Sequence, residues 1–280
     1  MAFIFGIPLN TFILAISLKE LRKRQYQSPV DLILFALGLF NIIMQSAQLL
    51  TSITYYLFTD IYMSYSFNFM DSIFAGTTLS VSWITAWLCT YYCIKILHFQ
   101  HHLLLYLKWT FPNLLLKLLV GSIVLSYSLV SLMLGFIVRY VTANQQANST
   151  TIHPEELLRA QKKILYIYGL NFAICWPLLL ILLSLGLTII SLMLHALSGP
   201  SVHLKALCNA AKTMSLLMVL QILYYVSQLC LTLNVGYETI FFWIFLLILY
   251  FFYPLQAVTL ILGNRKLHSA YGAFCCLNKT

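Results

Sequence analysis

The sequence predicts an all-α membrane protein, a single domain built as a seven-transmembrane helix bundle, on three observations. Of its 280 residues 61% are hydrophobic and only 8% charged, against about 25% charged in an average soluble domain, too few to cover a water-soluble fold. Seven segments are long enough to cross a bilayer and apolar all round, as helices that face lipid are. The basic residues stand at the ends of those segments rather than on one patch or stripe, so the net charge of +9 is a topology signal and not a nucleic-acid footprint.

The runs follow in order. The first, about residues 1 to 18, is barely long enough to cross at roughly 1.5 Å per residue. No basic n-region precedes it and no small-residue cleavage site ends it, so it is expected to serve as its own insertion signal. The second, about 29 to 58, opens after Ser28 with Pro29 and Asp31, and the third, about 67 to 97, has Asp71 near its start. Both acids suit the positive end of a helix dipole. The fourth run, about 115 to 138, leads to the longest polar stretch, Val141 to Lys163. Within that stretch His153-Pro154-Glu155-Glu156 marks a helix start, since Pro154 lacks only a donor that a first turn leaves idle. The fifth run, about 164 to 194, contains Pro177, and the sixth and seventh cover about 212 to 233 and 238 to 262, the last with Pro254. The two prolines are expected to kink their helices or to leave carbonyls for neighbours to satisfy.

Charge assigns the sides. Lys19, Arg22, Lys23, Arg24, Lys95, Lys108, Lys117, Lys205, Lys212, Arg265, Lys266 and Lys279, twelve of the sixteen basic residues, flank the connections on one side. The positive-inside bias makes that side cytoplasmic, with the amino terminus extracellular and the carboxyl terminus cytoplasmic in a multi-pass plasma-membrane protein. The other side holds Asn148-Ser149-Thr150, an acceptor for N-glycosylation, whereas Asn278-Lys279-Thr280 lies inside and should stay unmodified.

Several functions are excluded or weakened. HExxH, GxSxG, paired mid-membrane carboxylates and a glycine-rich phosphate loop are all missing, so no enzyme is predicted. Nothing asks for a cofactor. His98, His101 and His102 cluster after the third run, where an interfacial polar loop explains them more simply than a metal site. Cys89, Cys93, Cys175, Cys208, Cys230, Cys275 and Cys276 lie in apolar runs or on the cytoplasmic side, so no extracellular disulfide follows. A small transporter or channel, the reading from a different class, would need acids at mid-depth or inverted repeats, and neither is found. What remains is an aromatic and small-polar set, among it Phe74, Thr77, Thr78, Trp83, Trp87, Tyr224 and Tyr225, which would serve either helix packing or a largely apolar pocket.

Trp83-Ile84-Thr85-Ala86-Trp87-Leu88-Cys89-Thr90-Tyr91-Tyr92-Cys93-Ile94-Lys95-Ile96 resembles the helix-three pattern of the bitter taste receptor family (taste receptor type 2), seven-helix G-protein-coupled receptors, and runs on into Phe99-Gln100-His101. Asn10-Thr11-Phe12-Ile13, Ser191-Leu192-Met193-Leu194-His195, His203-Leu204-Lys205-Ala206-Leu207, and Tyr253-Pro254 with Leu260 to Leu267 are similar to the family's other motifs, in order and at the right spacing. The vomeronasal type 1 family is the nearest alternative, and the Lys95-Ile96 and Ser191 to His195 runs favour the taste receptors.

The resemblance implies a small-molecule bitter agonist contacting Phe74, Thr77, Thr78 and Tyr224, and a gustducin-like heterotrimeric G protein received around Lys95, His195, His203 and Lys205. It also implies a glycosylated Asn148. Lys95 is equally explained as a residue snorkelling to the interface, the two histidines as solvated loop residues, and Cys275 and Cys276 as palmitoylated or as small interfacial residues. The chain departs from the pattern where Phe74 and Thr78 replace a Trp and an Asn, Phe40-Asn41 a Ser-Arg, Ala257-Val258 a His-Ser, and near Leu247, where an acidic or polar residue is usual. These changes predict apolar ligands with few hydrogen-bonding groups. They also put in question the family's polar link between helices two and seven.

Overall fold

The computed structural model of the chain describes residues 2–23, 28–57, 67–96, 102–147, 154–197, 202–232 and 239–277. Their secondary structure is helical: α1 (Ala2–Lys23), α2 (Pro29–Leu57), α3 (Phe67–Ile96), α4 (His102–Ala147), α5 (Pro154–Leu197), α6 (Val202–Thr232), α7 (Ile240–Gly263) and α8 (Arg265–Leu277). The first seven are each long and apolar enough to cross a membrane, which makes this a multi-pass membrane protein. Helices α4 and α5, with 46 and 44 residues, overrun the apolar runs that cross the bilayer. Apolar length follows the hydrocarbon layer, whereas a helix persists into the interface wherever Leu, Lys, Ala and Gln sustain it. Pro154 opens α5, and α5 and α7 run on without interruption through Pro177 and Pro254.

Six helices form a ring around the seventh. Contacts join α1 to α2, α2 to α4, α4 to α5, α5 to α6, α6 to α7 and α7 back to α1, while α3 touches α2, α4, α5 and α6 from within. Burial follows: 72% of the α3 span is buried, against 22% for α4 on the rim. The composition of α3 explains its place. Ser80, Ser82, Thr85 and Thr90 each return a hydroxyl to the carbonyl four residues back, so they present small, internally satisfied surfaces that let neighbouring helices approach. Outward faces are apolar, with Leu132, Phe172, Leu183 and Leu262 exposed as lipid requires.

The polar link between α2 and α7 is present, against the expectation from its altered residues. Asn41 Nδ2 donates to Asn10 Oδ1 of α1 at 2.9 Å and to Gln256 Oε1 of α7 at 3.0 Å. Gln256 Nε2 in turn donates to Thr85 Oγ1 of α3 at 3.0 Å. The lost Arg and His-Ser pair are thus replaced by two amides, the second of them one position before Ala257. All four side chains are buried, where each bond replaces an otherwise orphaned polar group in hydrocarbon.

At the opposite end from Leu57, Asn264 takes an extended backbone and breaks α7 from α8, its Oδ1 accepting the Lys266 N–H at 3.0 Å. Helix α8 then lies under α1 and α2. Leu267 is buried, Tyr271 meets Phe12 edge-on with ring centres 5.6 Å apart, and Lys266 Nζ reaches Asp31 Oδ2 at 3.3 Å. Asp31 therefore sits in the first turn of α2, as its dipole role requires, and has a cationic partner from the far end of the chain.

Candidate functional site

Thr78, Ser82 and Thr85 recur at helical spacing on α3 and face α6 and α7. Thr78 Oγ1 and Tyr224 Oη are 3.2 Å apart, and Tyr253 Oη donates to Tyr224 Oη at 3.4 Å. One turn deeper Gln221 Nε2 donates to Ser82 Oγ at 2.6 Å. Tyr224 is walled by rings, with Phe252 centred 4.5 Å away and Tyr253 at 6.1 Å. Three helices therefore meet in a buried, uncharged knot of hydroxyls and aromatic faces.

The sequence-predicted ligand residues fall into two groups. Thr78 and Tyr224 come together in this knot. Thr77 is turned about a quarter of the way round α3 and pairs with Tyr127 of α4 at 3.0 Å. Phe74 is half-buried and packs against the main core. Tyr253 and Gln221 belong to the knot although neither was singled out as a ligand residue. The signal for Tyr253 was available in the Tyr253-Pro254 pair, and Gln221, with Gln228, is one of two glutamines in a largely apolar run.

At the other end of the same three helices lies a cleft of about 550 Å³. Tyr92 and Lys95 of α3, Asn209 and Lys212 of α6, Gly263 of α7 and Arg265 of α8 are among its walls, and among the described residues its lining has three cations and no acid. Gly263 is required here, because a Cβ would run into the side chain of Thr213 across the α6–α7 contact. Lys95 is exposed at this cleft. His195 lies in the last turn of α5, and His203 and Lys205 lie in the first turn of α6, with their side chains outside the described residues. Asn148, His98 and His101 also lie outside the described residues. Among the described residues no cluster of three or more His, Cys, Asp or Glu is placed to hold a metal, and Cys89 and Cys93 are buried packing residues.

Six spans thus surround a polar central helix, with a buried knot toward one end and a basic cleft at the other. The family model for Taste receptor protein (TAS2R) matches residues 1–279. This chain belongs to that family. The TAS2R chain is similar to Homo sapiens taste receptor type 2 member 2, at 25% identity over 99% of this chain and 94% of that protein. Mus musculus and Rattus norvegicus taste receptor type 2 member 41 are 28% and 29% identical, each over 95% of this chain and 90% of theirs. It is a G-protein-coupled chemosensory receptor of the bitter-taste class, a receptor family rather than an enzyme family.

Proposed function

We propose that this receptor binds small, mostly apolar agonists at the knot formed by α3, α6 and α7 and activates a gustducin-like heterotrimeric G protein through the cleft at the other end of those helices. The observation that carries the reading is this double meeting of the same three helices. Thr78 and Lys95 are about 25 Å apart along α3 at 1.5 Å per residue, so a change at one end is levered to the other by rigid elements. The knot is uncharged, which favours apolar agonists and gives a cation no counter-ion. Its hydroxyl contacts, 3.2 and 3.4 Å, are longer than the 2.7–2.8 Å usual for O–H···O pairs, so an agonist that wedges between Tyr224 and Phe252 gives up little by parting them. An agonist with higher affinity for the parted arrangement shifts the population toward it.

Charge asymmetry supports an extracellular amino terminus, a glycosylated Asn148 and a plasma-membrane setting in which the knot is reached from outside. The cationic cleft, with Lys95, Lys212 and Arg265, suits an acidic or carboxylate-bearing segment of a G protein. Phe74, Thr77 and the side chains of His195, His203 and Lys205 are proposed to flank these two sites.

The test is calcium release in cells supplying a taste-type G protein, screened against a panel of apolar bitter compounds. Responses lost in Tyr224→Ala with surface expression intact support the site. Responses confined to cationic or strongly polar compounds, or unaltered in Tyr224→Ala, contradict it.

A further inference from the structure

Outward of the Asn41 to Gln256 bond, α2 carries more polar groups than that link uses. Asn41, Gln45, Gln48 and Ser52 follow one another at steps of four, three and four residues, which at 3.6 residues per turn keeps them within about 60° of each other on the helix. Two helices face this line. Asn41 bonds Asn10 of α1 and Gln256 of α7, Gln45 lies against Gly6 of α1, and Ser52 Oγ is 3.3 Å from Tyr250 Oη of α7.

Gln45 is only 1% exposed, yet neither its Nε2 nor its Oε1 has a hydrogen-bond partner among the described residues. Asn41 Oδ1, Gln48 Oε1 and, beside the line, Thr51 Oγ1 are buried in the same condition. Gly6 makes room for the Gln45 amide, since a Cβ at that position would strike it. Packing alone favours a Leu at Gln45, because an apolar side chain of the same shape carries no desolvation cost. A buried amide with no protein partner at either atom, set in a line of half-used amides inside a membrane bundle, points to a ligand.

We propose that this seam between α1, α2 and α7 is a second binding site, for a compact neutral molecule that carries a donor and an acceptor side by side, such as a lactam. The side chains of the line are amides and hydroxyls, which offer no counter-charge to an ion. The Gln45 carboxamide presents N–H and C=O together, and the cis amide of a lactam pairs with it through two antiparallel hydrogen bonds. Gln48 and Thr51 lie on the outward side, along the way in from the end of α2 at Leu57. The site is separate from the Tyr224 knot and richer in amides, where that knot is walled by aromatic rings, and it does not depend on the agonist reading.

The experiment measures the melting temperature of the full chain in lipid nanodiscs with three seven-membered rings of matched size: ε-caprolactam, cycloheptanone and cycloheptane. Caprolactam is expected to raise the melting temperature by a few degrees at concentrations above its Kd, cycloheptanone less, and cycloheptane not at all. Gln45→Leu is expected to abolish the caprolactam shift without lowering the ligand-free melting temperature, and Gln48→Leu to weaken the shift, which gives a second variant if the first accumulates poorly. Tyr224→Ala should keep the shift, so a failed agonist screen and a failed seam remain distinguishable. Equal shifts from all three rings, no shift from any, a shift that survives both Leu variants, or a lower ligand-free melting temperature in both of them would overturn the proposal, the last because it makes the amides part of the fold alone.

Discussion

Asn41→Ala is the substitution whose consequence follows most directly from the geometry. It removes two interhelical bonds, 2.9 Å to Asn10 and 3.0 Å to Gln256, and leaves Asn10 Oδ1 and Gln256 Oε1 buried without those donors. Interhelical hydrogen bonds in membranes average about 0.6 kcal/mol and reach about 1.7, while a stranded buried group costs about 1–3 kcal/mol in soluble cores. The variant should therefore lose about 1–3 kcal/mol of stability. If the bonds exist in only one of the receptor's two signalling states, the same free energy changes basal activity by about 5–150-fold. The assay is a double-mutant cycle of Asn41→Ala with Gln256→Ala, read by unfolding in nanodiscs and by basal calcium signalling at equal surface density. The predicted coupling is about 0.6–1.7 kcal/mol. A coupling of no more than about 0.3 kcal/mol, the scatter of independent sites, refutes the claim that these amides rebuild the link between α2 and α7.

Three further outcomes are expected. Gly263→Ala should destabilise by about 1–3 kcal/mol through overpacking against Thr213, and Thr213→Ala in the same chain should restore most of the loss when both are measured by thermal unfolding. Neutralising Lys212 and Arg265 in the cleft with Gln should weaken G-protein activation at unchanged agonist binding, and equal losses in both assays would place the cations in the ligand site instead. Asn148→Gln should remove an endoglycosidase-sensitive mass shift that Asn278→Gln leaves in place, and the reverse pattern would invert the charge-based topology.

The spans were legible because a stretch that faces lipid must be apolar on every side, a property that survives loss of all tertiary information. The ring order came from the structure alone, and the central place of α3 agrees with its run of Ser and Thr and with a hydropathy below that of α4 and α5. The link between α2 and α7 was misjudged because the residues compared were Ala257 and Val258, whereas Gln256, one position earlier, is the side chain that points at Asn41. The seam on α2 was missed for a related reason. An acid inside a membrane run stands out in a sequence, whereas Asn41, Gln45 and Gln48 are neutral, and only their steps of four and three residues put them on one face. Asp31 was placed correctly at a helix start, but no local pattern announces a partner 235 positions away in Lys266. Thr77 and Thr78 looked alike as adjacent pocket residues, and only the positions of α4 and α6 send one to Tyr127 and the other to Tyr224.

The most direct test of the account is whether an agonist held at Tyr224 moves the inner end of α6. Cys208 is an exposed native thiol on α6 beside the cleft-lining Asn209, so an environment-sensitive fluorophore placed there, with Cys275 and Cys276 changed to Ser, reports that end alone once the partly buried thiols are shown not to label. The account predicts that the first agonist from the calcium screen changes the emission in the parent chain and leaves it unchanged in Tyr224→Ala. Agonist-driven calcium release with no change at Cys208, or the same change in Tyr224→Ala, would contradict it.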